Sequence, residues 1–353
     1  MPRIWIAVDA VGGDDFPSVP IAGAILALKE LRHDLGVTLV GPTDVIEAEL
    51  RRHHYDPKRI RVCPASQVIA MNEKPSVAVD VIDSSISTGL ALQRQGLSDG
   101  FVSAGNTGAI MALALLKLGR IHGIKRPALA VPFPTAKQPC VVLDVGATMD
   151  ATSEQLGQFS LMGPVYSELI HGIKDPSVGL MSVGEEDGKG NKVTQAAYKL
   201  LQTLGSKGAI RFTGNVQGKD ILTGNTNVIV IDGFAGNVVL KLTESFLPAF
   251  KDLLKKIIQN GGKWQKFWAW VATRILLTPT IKSVKLALEA EEYGGAPLLG
   301  VRGVVIVAHG NSTPKAIVSA VNHACCLLQY DISGVIEKRH KQFAACFEPA
   351  PGE

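Results

Sequence analysis

The sequence has few cysteines, few aromatic residues and no long apolar run. Its five cysteines among 353 residues include no CxxC pair, which fits a reduced compartment. No apolar stretch reaches the roughly 18 residues that a membrane-spanning helix requires. The N-terminal apolar segment is also too short for a signal-peptide core. We therefore expect a cytoplasmic protein whose membrane contact, if any, is peripheral.

Signatures of nucleotide and nucleic-acid binding are missing as well. No glycine-rich loop matches the P-loop or the dinucleotide fingerprint. The net charge is only +4, and no basic stretch interleaved with aromatic residues indicates nucleic acid as the main partner. We find no carboxylate cluster that suggests a metal. The sequence thus predicts a protein that needs no cofactor, no metal and no nucleic acid.

Short apolar runs rich in Val and Ile recur along the chain, and helix-period segments separate them. This alternation predicts an α/β protein whose strands are covered by helices on both faces. In an open parallel sheet, ligand loops gather at the carboxyl ends of the strands. Helices are predicted at residues 77–92, 108–118 and 315–329, and strands at residues 4–9, 38–41, 60–63, 100–104, 128–131, 141–144, 178–183, 210–213, 228–232 and 304–308.

Residues 249–288 differ from the rest of the chain in charge. Eight basic side chains and one acid, Asp252, give this stretch +7 against a total of +4, so the remainder carries −3. The stretch holds three of the four tryptophans and has two apolar stripes at helical spacing, separated by Gly261-Gly262. The pattern indicates a basic amphipathic helical hairpin.

We place this hairpin at residues 245–288, projecting from a catalytic domain of residues 1–244 and 289–347, with a loose tail at residues 348–353. Tryptophan and lysine suit the surface of an anionic membrane, and the same charge suits an acidic protein. The candidates for membrane or partner contact are Lys263, Trp264, Lys266 and Trp268.

Six loops at the ends of predicted strands are dense in Gly, Asn, Ser, Asp and Lys. Backbone N–H groups and helix N-termini in such loops bind small oxyanions. Any one of these loops alone is more typical of turn geometry, whereas all six together predict an oxyanion site. They are residues 9–14, 103–108, 184–191, 214–215, 232–237 and 309–312.

In their order and residues, these six loops resemble the bacterial phosphate acyltransferase (PlsX) family. The resemblance extends to residues 126–128, 143–147, 238–241 and 293–301 and so covers nearly the whole chain. It implies a three-layer α/β/α Rossmann-like fold similar to isocitrate and isopropylmalate dehydrogenases, and a homodimer. It also implies conversion of long-chain acyl-[acyl-carrier-protein] and inorganic phosphate to acyl phosphate, which feeds phospholipid synthesis.

The chain departs from the family pattern at three places. Val11 stands where Met is usual, Thr148 stands where Asn is usual, and residues 289–292 replace an Asp-rich version. The change at Thr148 argues against an essential side-chain amide at that position.

The implied reaction constrains the catalytic residues. Phosphate is already a competent nucleophile and a thiolate leaves easily, so direct attack needs no nucleophilic serine, and no GxSxG elbow is present. Lys189, between Gly188 and Gly190, is the first candidate for a cation on the phosphate. Asn237 offers an amide donor, and His309 could donate to phosphate or to the thiolate.

Further candidates for phosphate or substrate binding come from the same loops. Asn106 and Thr107 are expected at a helix N-terminus, and Asp9 and Asp232 are expected mainly to orient loops or helix starts. The predicted set is Gly12, Gly13, Ser103, Asn106, Thr107, Gly108, Asn215, Asp232, Asn311 and Ser312.

Two other functions stay open at this point. A phosphotransacetylase-like enzyme on the same architecture would use acyl-coenzyme A as donor. A non-catalytic scaffold for membrane or carrier protein would use only the basic hairpin. A decarboxylating dehydrogenase would need the metal cluster and dinucleotide loop that the sequence lacks.

Overall fold

The computed structural model describes residues 2–260 and 294–347, which form one sheet of eleven strands with helices on both faces. The strand order is β3-β2-β1-β4-β11-β10-β5-β6-β9-β7-β8. The strands are β1 Ile4–Asp9, β2 Leu35–Gly41, β3 Ile60–Pro64, β4 Gly100–Ser103, β5 Ala128–Phe133, β6 Cys140–Leu143, β7 Ser177–Met181, β8 Arg211–Val216, β9 Val228–Val230, β10 Ala296–Leu299 and β11 Val304–Val307.

All ten strands predicted from the sequence are present, with ends that differ by at most a few residues. The missed strand is β10, which is four residues long and contains Pro297. Gly294, Gly295 and Gly300 surround it, so its local sequence is typical of a turn. Its pairing with β5 and β11 makes it a strand.

The expectation of an open parallel sheet is wrong in the middle of the sheet. Strand β10 is antiparallel to both β11 and β5, and β5 is antiparallel to β6. Strands β6, β9, β7 and β8 are parallel to one another and therefore run opposite to β1, β2, β3, β4 and β11. The carboxyl ends of the two groups point toward opposite edges of the sheet.

The helices form the outer two layers, as the three-layer prediction requires. One buried apolar cluster joins the sheet to α1, α6, α7, α9 and α10, and the other joins it to α4 and α5. The helices are α1 Ser18–Glu30, α2 Thr43–Leu50, α3 Pro75–Ala78, α4 Ser85–Arg94, α5 Thr107–Lys117, α6 Ser153–His171, α7 Lys192–Ser206, α8 Gly233–Asn260, α9 Pro314–Gln329 and α10 Ile332–Gln342.

The helix predicted at residues 77–92 is wrong as a single element, because it is divided into α3 and α4. Ser84 is the N-cap residue of α4. Its hydroxyl accepts a hydrogen bond from the backbone N–H of Ser87 at 3.2 Å, so α4 begins anew at this point. The carboxylate of Asp83 accepts from the backbone N–H of Ser66 at 2.9 Å. These bonds hold residues 83 and 84 against a distant loop.

Helix α8 passes without a break through the predicted boundary between residues 244 and 245. The rest of the proposed hairpin, including Lys263, Trp264, Lys266 and Trp268, lies outside the described residues, as does the tail. The described part of α8 exposes a line of large apolar side chains: Phe234, Val238, Leu242, Phe246, Phe250 and Leu253.

Among the described residues, no helix combines the length and the apolar character needed to cross a bilayer.

Candidate functional site

Three of the six predicted loops meet at the carboxyl ends of β1, β4 and β11. The backbone N–H of Asp14 donates to the carbonyl of Gly310 at 2.8 Å. Gly13 has φ +98°, and a Cβ there would lie 3.0 Å from the same carbonyl oxygen. A shallow depression at this junction is lined by both glycines and by Gly12, Ala104 and Ser312, among others. The structure therefore brings together three of the six loops that the sequence predicts at one site.

Asp9 is the buried centre of this group. Its carboxylate accepts from the Ser103 hydroxyl at 2.7 Å and from the Val11 N–H at 3.2 Å. Burial raises the pKa of Asp9, while these hydrogen bonds favour its charged form. Ser103 is only 1% exposed and also accepts from the N–H of Gly105 at 3.0 Å. Both side chains thus fix the shapes of the loops, the role expected for Asp9.

Asn106 caps helix α5, as its position predicted, but its amide is used within the protein. The side-chain oxygen accepts from the N–H of Ala109 at 3.0 Å. The amide nitrogen lies within 3.1 Å of the carbonyl oxygens of Ala70, Met71 and Glu73. Both donor hydrogens are engaged, so in this structure the amide has none to offer a phosphate. The exposed residue at this helix start is Thr107, followed by the half-buried Gly108.

A second group forms where the start of α8 packs on the loop after β6. Asp144 is fully buried and accepts from the N–H groups of Leu129, Gly146, Ala147 and Thr148 at 2.5 to 3.1 Å. Burial raises the pKa of Asp144 to about 6, against the opposite effect of these four bonds. This carboxylate organises the loop on which the helix rests.

Helix α8 approaches this loop so closely that only glycine fits. A Cβ on Gly236 would lie 1.9 Å from the carbonyl oxygen of Asp144, and one on Gly233 would lie 2.6 Å from its carboxylate. Asp232 caps the helix, its carboxylate accepting from the N–H of Ala235 at 3.0 Å, as expected for a residue that orients a helix start. The Thr148 hydroxyl donates to the carbonyl of Pro127 at 3.0 Å and is structural.

Asn237 is the fifth residue of α8, at the start of its second turn, half-buried and beside Gly146. A Cβ on Gly146 would lie 3.8 Å from the Asn237 side chain, so the glycine keeps the space there free. Within residues 2–260 and 294–347 the Asn237 amide has no hydrogen-bond partner. The positive end of the helix dipole adds to its attraction for an anion. The predicted donor role of Asn237 is therefore compatible with its surroundings.

Farther along α8, two charged side chains reach the loop after β11. Glu244 lies 3.4 Å from Nε2 of His309 through one carboxylate oxygen and 2.8 Å from Nζ of Lys241 through the other. Hydrogen bonding to Glu244 raises the pKa of His309, and the Asn311 side chain acts in the same direction. The same contact with His309 lowers the pKa of Glu244. Helix α8 thereby joins the second group of loops to the first.

Lys241 and Glu244 were not among the residues predicted from the sequence. Lys241 belongs to the segment 238–241 that carried the family resemblance, and it lies one helical turn after Asn237, on the same side of α8. The four-residue spacing between Asn237 and Lys241 is the sequence feature that could have identified Lys241 as a site residue. Glu244 and His309 are far apart in the chain, so no local sequence pattern predicts their contact.

Lys189 and Asn215 form a third group at the carboxyl ends of β7 and β8. The Asn215 amide donates to the carbonyl of Glu186 at 2.8 Å, and its buried oxygen has no protein partner in the described part of the chain. Through this one hydrogen bond Asn215 holds the loop 184–191. The side chain of Lys189 is 52% exposed, 4.0 Å from Glu186.

The third group is next to the second in the sheet, because β7 pairs with β9. Met181, at the end of β7, packs in the same apolar cluster as Ala147, Ala235 and Val239. No direct hydrogen bond or ion pair joins Lys189 to α8 in the described residues. In that part of the chain, no cluster of His, Cys, Asp and Glu has the composition of a metal site.

Most of the chain is similar in sequence to one protein family and to named relatives. The family model described as "Fatty acid synthesis protein" matches residues 4–334. A protein of Dictyoglomus turgidum named phosphate acyltransferase is 44% identical over 330 residues, covering 93% of this chain and 95% of that protein. One of the same name from Pelotomaculum thermopropionicum is 45% identical over 320 residues, or 90% of each chain.

Solved structures resemble the fold at much lower sequence identity. A phosphotransacetylase from Streptococcus pyogenes superimposes with a TM-score of 0.60 over 93% of this chain and 94% of its own, at 14% identity. The EutD phosphotransacetylase from Staphylococcus aureus gives a TM-score of 0.58 over 92% and 94%, also at 14% identity. These likenesses concern the architecture alone.

Proposed function

The chain belongs to the fatty acid synthesis protein family, and on that premise we propose that its acyl donor is a long-chain thioester of acyl carrier protein. Like the relatives named phosphate acyltransferase, it is an enzyme that transfers an acyl group to phosphate. The acyl phosphate product would then enter phospholipid synthesis. The proposal covers the donor, the residues that act and the place where the product is released.

The observation that carries this proposal is the set of donors for an anion along one side of α8. Asn237 presents an amide at the start of the second turn, and Lys241, one turn later, lies 3.5 Å from Nε2 of His309. Neutral and cationic donors on one side of a helix suit a phosphate dianion and the oxyanion that forms on a thioester carbonyl. Lys189, in the neighbouring loop, adds a mobile point charge for the phosphate.

The proposed mechanism is direct attack. An oxygen of hydrogen phosphate attacks the thioester carbonyl carbon, and the resulting tetrahedral oxyanion is stabilised by Asn237 and the nearby cations. The carbon–sulfur bond then breaks and the electron pair leaves on sulfur. The proton of the hydrogen phosphate ends on the thiol, so the products are acyl phosphate and free carrier protein. Most of the catalysis comes from holding the two reactants together.

Mass-spectrometric detection of acyl phosphate tests this function. Purified enzyme is mixed with phosphate and either acyl carrier protein thioester or the coenzyme A thioester of the same acid. We expect acyl phosphate from the carrier thioester at a higher kcat/KM. A higher kcat/KM with coenzyme A would favour a phosphotransacetylase-like donor, and no acyl phosphate from either would refute the function.

We predict that no acyl-enzyme accumulates. Burial raises the pKa of Cys140 and of Cys325 to about 12, and it also raises the pKa of Cys63 and Cys326, so these thiols stay protonated at neutral pH. Intact-mass measurement after mixing the enzyme with acyl donor in the absence of phosphate should show only the unmodified chain. A stable adduct on Ser, Cys or Lys would contradict direct attack.

We also propose a homodimer in which the segment from residue 245 onward mediates contact with the partner subunit, the anionic membrane or both. The supporting observation is the exposed apolar side of α8, where Phe246, Phe250 and Leu253 are 46 to 61% exposed. The basic residues that follow complement an anionic surface or the acidic carrier protein. Delivery at the membrane suits a product with a long acyl chain.

Liposome flotation tests the membrane part. Lysines near an anionic surface contribute up to about 1 kcal/mol each, and tryptophan prefers the interface. Charge reversal at Lys263 and Lys266 combined with Trp268→Ala should therefore lower binding to anionic vesicles and leave turnover of free substrates unchanged. A carrier-binding assay and sedimentation run in parallel separate loss of membrane contact from loss of carrier or dimer contact. Unchanged flotation would remove the role assigned to these residues.

A further inference from the structure

Glu244 forms an ion-pair contact between the two oppositely directed groups of strands in the sheet. It lies on α8, which follows β9, and it meets His309, which follows β11. Its two carboxylate oxygens are divided between two cations, at 3.4 Å from Nε2 of His309 and 2.8 Å from Nζ of Lys241. One carboxylate thus holds two groups that come from different elements.

The Glu244 carboxylate opposes the electrostatic repulsion between Lys241 and a protonated His309. Nζ of Lys241 and Nε2 of His309 are 3.5 Å apart, so a protonated imidazole and an ammonium repel each other at this distance. In the described part of the chain, Glu244 and Lys241 are the charged groups that act on His309, and Asn311 adds a hydrogen bond. When His309 is protonated, Glu244 offsets the repulsion and the cluster keeps a net positive charge.

A purely structural ion pair explains this arrangement poorly. All three side chains are 36 to 56% exposed, and exposed pairs add little to stability. A structural pair also needs one basic group, whereas here two basic side chains meet, Lys241, one turn after Asn237, and His309, 3.5 Å from it. Convergent cations on an accessible surface are what a dianion requires.

We propose that Glu244 is a positioning residue, which holds the His309 imidazolium and the Lys241 ammonium side by side so that both cations act on the phosphate group. Glu244 itself touches neither phosphate nor thioester in this proposal. The inference rests on the proposed function, because the anion is taken to be the phosphate that becomes acylated.

The test is Glu244→Gln, which keeps the size of the side chain and removes its charge. Loss of one charge-assisted contact on each cation should raise the KM for phosphate by about tenfold or more, with a smaller change in kcat. Because Glu244 raises the pKa of His309, its removal should shift the alkaline limb of the activity profile to lower pH. Glu244→Asp, which keeps the charge, should restore part of the loss.

A second measurement, which does not depend on turnover, tests the role of Glu244 independently of the proposed function. The NMR titration of the His309 imidazole, assigned with His309→Gln, should shift to lower pH in Glu244→Gln. Glu47→Gln removes a carboxylate from an exposed ion pair with Arg51 on α2 and should leave both the titration and the KM unchanged. An unchanged His309 titration together with an unchanged KM for phosphate would overturn the inference. If the parent enzyme made no acyl phosphate, the proposed function would fail, while the titration would still test the contact.

Discussion

Replacement of Lys189 by Ala should lower kcat by about 10² to 10³, or roughly 2.7 to 4 kcal/mol, the scale for removing one key electrostatic donor. The side chain is 52% exposed in the loop between β7 and α7, and its nearest acidic partner, Glu186, is 4.0 Å away. Nothing in the core depends on this ammonium group. The loss should therefore appear in turnover and not in stability.

The loop should keep its shape in this variant, because its backbone is held by other bonds. The N–H of Lys189 donates to the carbonyl of Glu186 at 3.0 Å, and Asn215 holds that same carbonyl at 2.8 Å. Steady-state kinetics with carrier thioester and phosphate, together with a thermal unfolding curve, give both quantities. Lys192→Ala, on the exposed first residue of α7, is the matched control and should retain parent turnover. Turnover of Lys189→Ala within about twofold of the parent at equal stability would show that the lysine is not catalytic.

Replacement of Gly236 by Ala should destabilise the protein by about 3 kcal/mol and reduce kcat/KM by about 10²-fold. The added methyl group would lie 1.9 Å from the carbonyl oxygen of Asp144, a backbone atom that cannot rotate away. Helix α8 must then move off the loop after β6. Because Asn237 and Lys241 lie on this helix, the displacement removes donors from the site as well.

Urea unfolding and steady-state kinetics measure the two effects. The control is Gly218→Ala, since a Cβ at Gly218 enters open space, and neither stability nor activity should change by much. If Gly236→Ala unfolded at the same urea concentration as the parent and kept its activity, the close approach of α8 to Asp144 would be wrong.

Much of the fold could be predicted because its determinants are local. Several predicted strands are runs of Val and Ile that are buried on both faces, such as Val228–Val230. The starts of α5 and α9 were found for a similar reason, since Asn106 and Thr313 cap them with their own side chains. Strand ends rich in Gly, Asn, Ser and Asp likewise marked six loops, although the loop after β6 was not among them.

The parts that sequence reasoning missed depend on long-range pairing. Strand β10 has the local sequence of a turn and becomes a strand only between β5 and β11. The helix at residues 77–92 is interrupted because Asp83 bonds to Ser66. In the site, Asn106 and Asn215 were predicted as phosphate ligands from their place in strand-end loops. The Asn106 amide is instead engaged by carbonyl groups of another loop, and one amide hydrogen of Asn215 is bonded to the carbonyl of Glu186.

By itself the sequence determined the α/β class, the positions of ten strands, the family and the loops for which we propose phosphate binding, because these are properties of short segments and their order. Only the tertiary structure decided the reversal of the sheet between β11 and β6, and with it the division of those loops into separate groups. It also decided that α8 brings Lys241 and Glu244 to His309. The physical reason is that strand direction and cross-sheet contacts are set by burial and hydrogen bonding between residues far apart in the chain, and no local pattern records them.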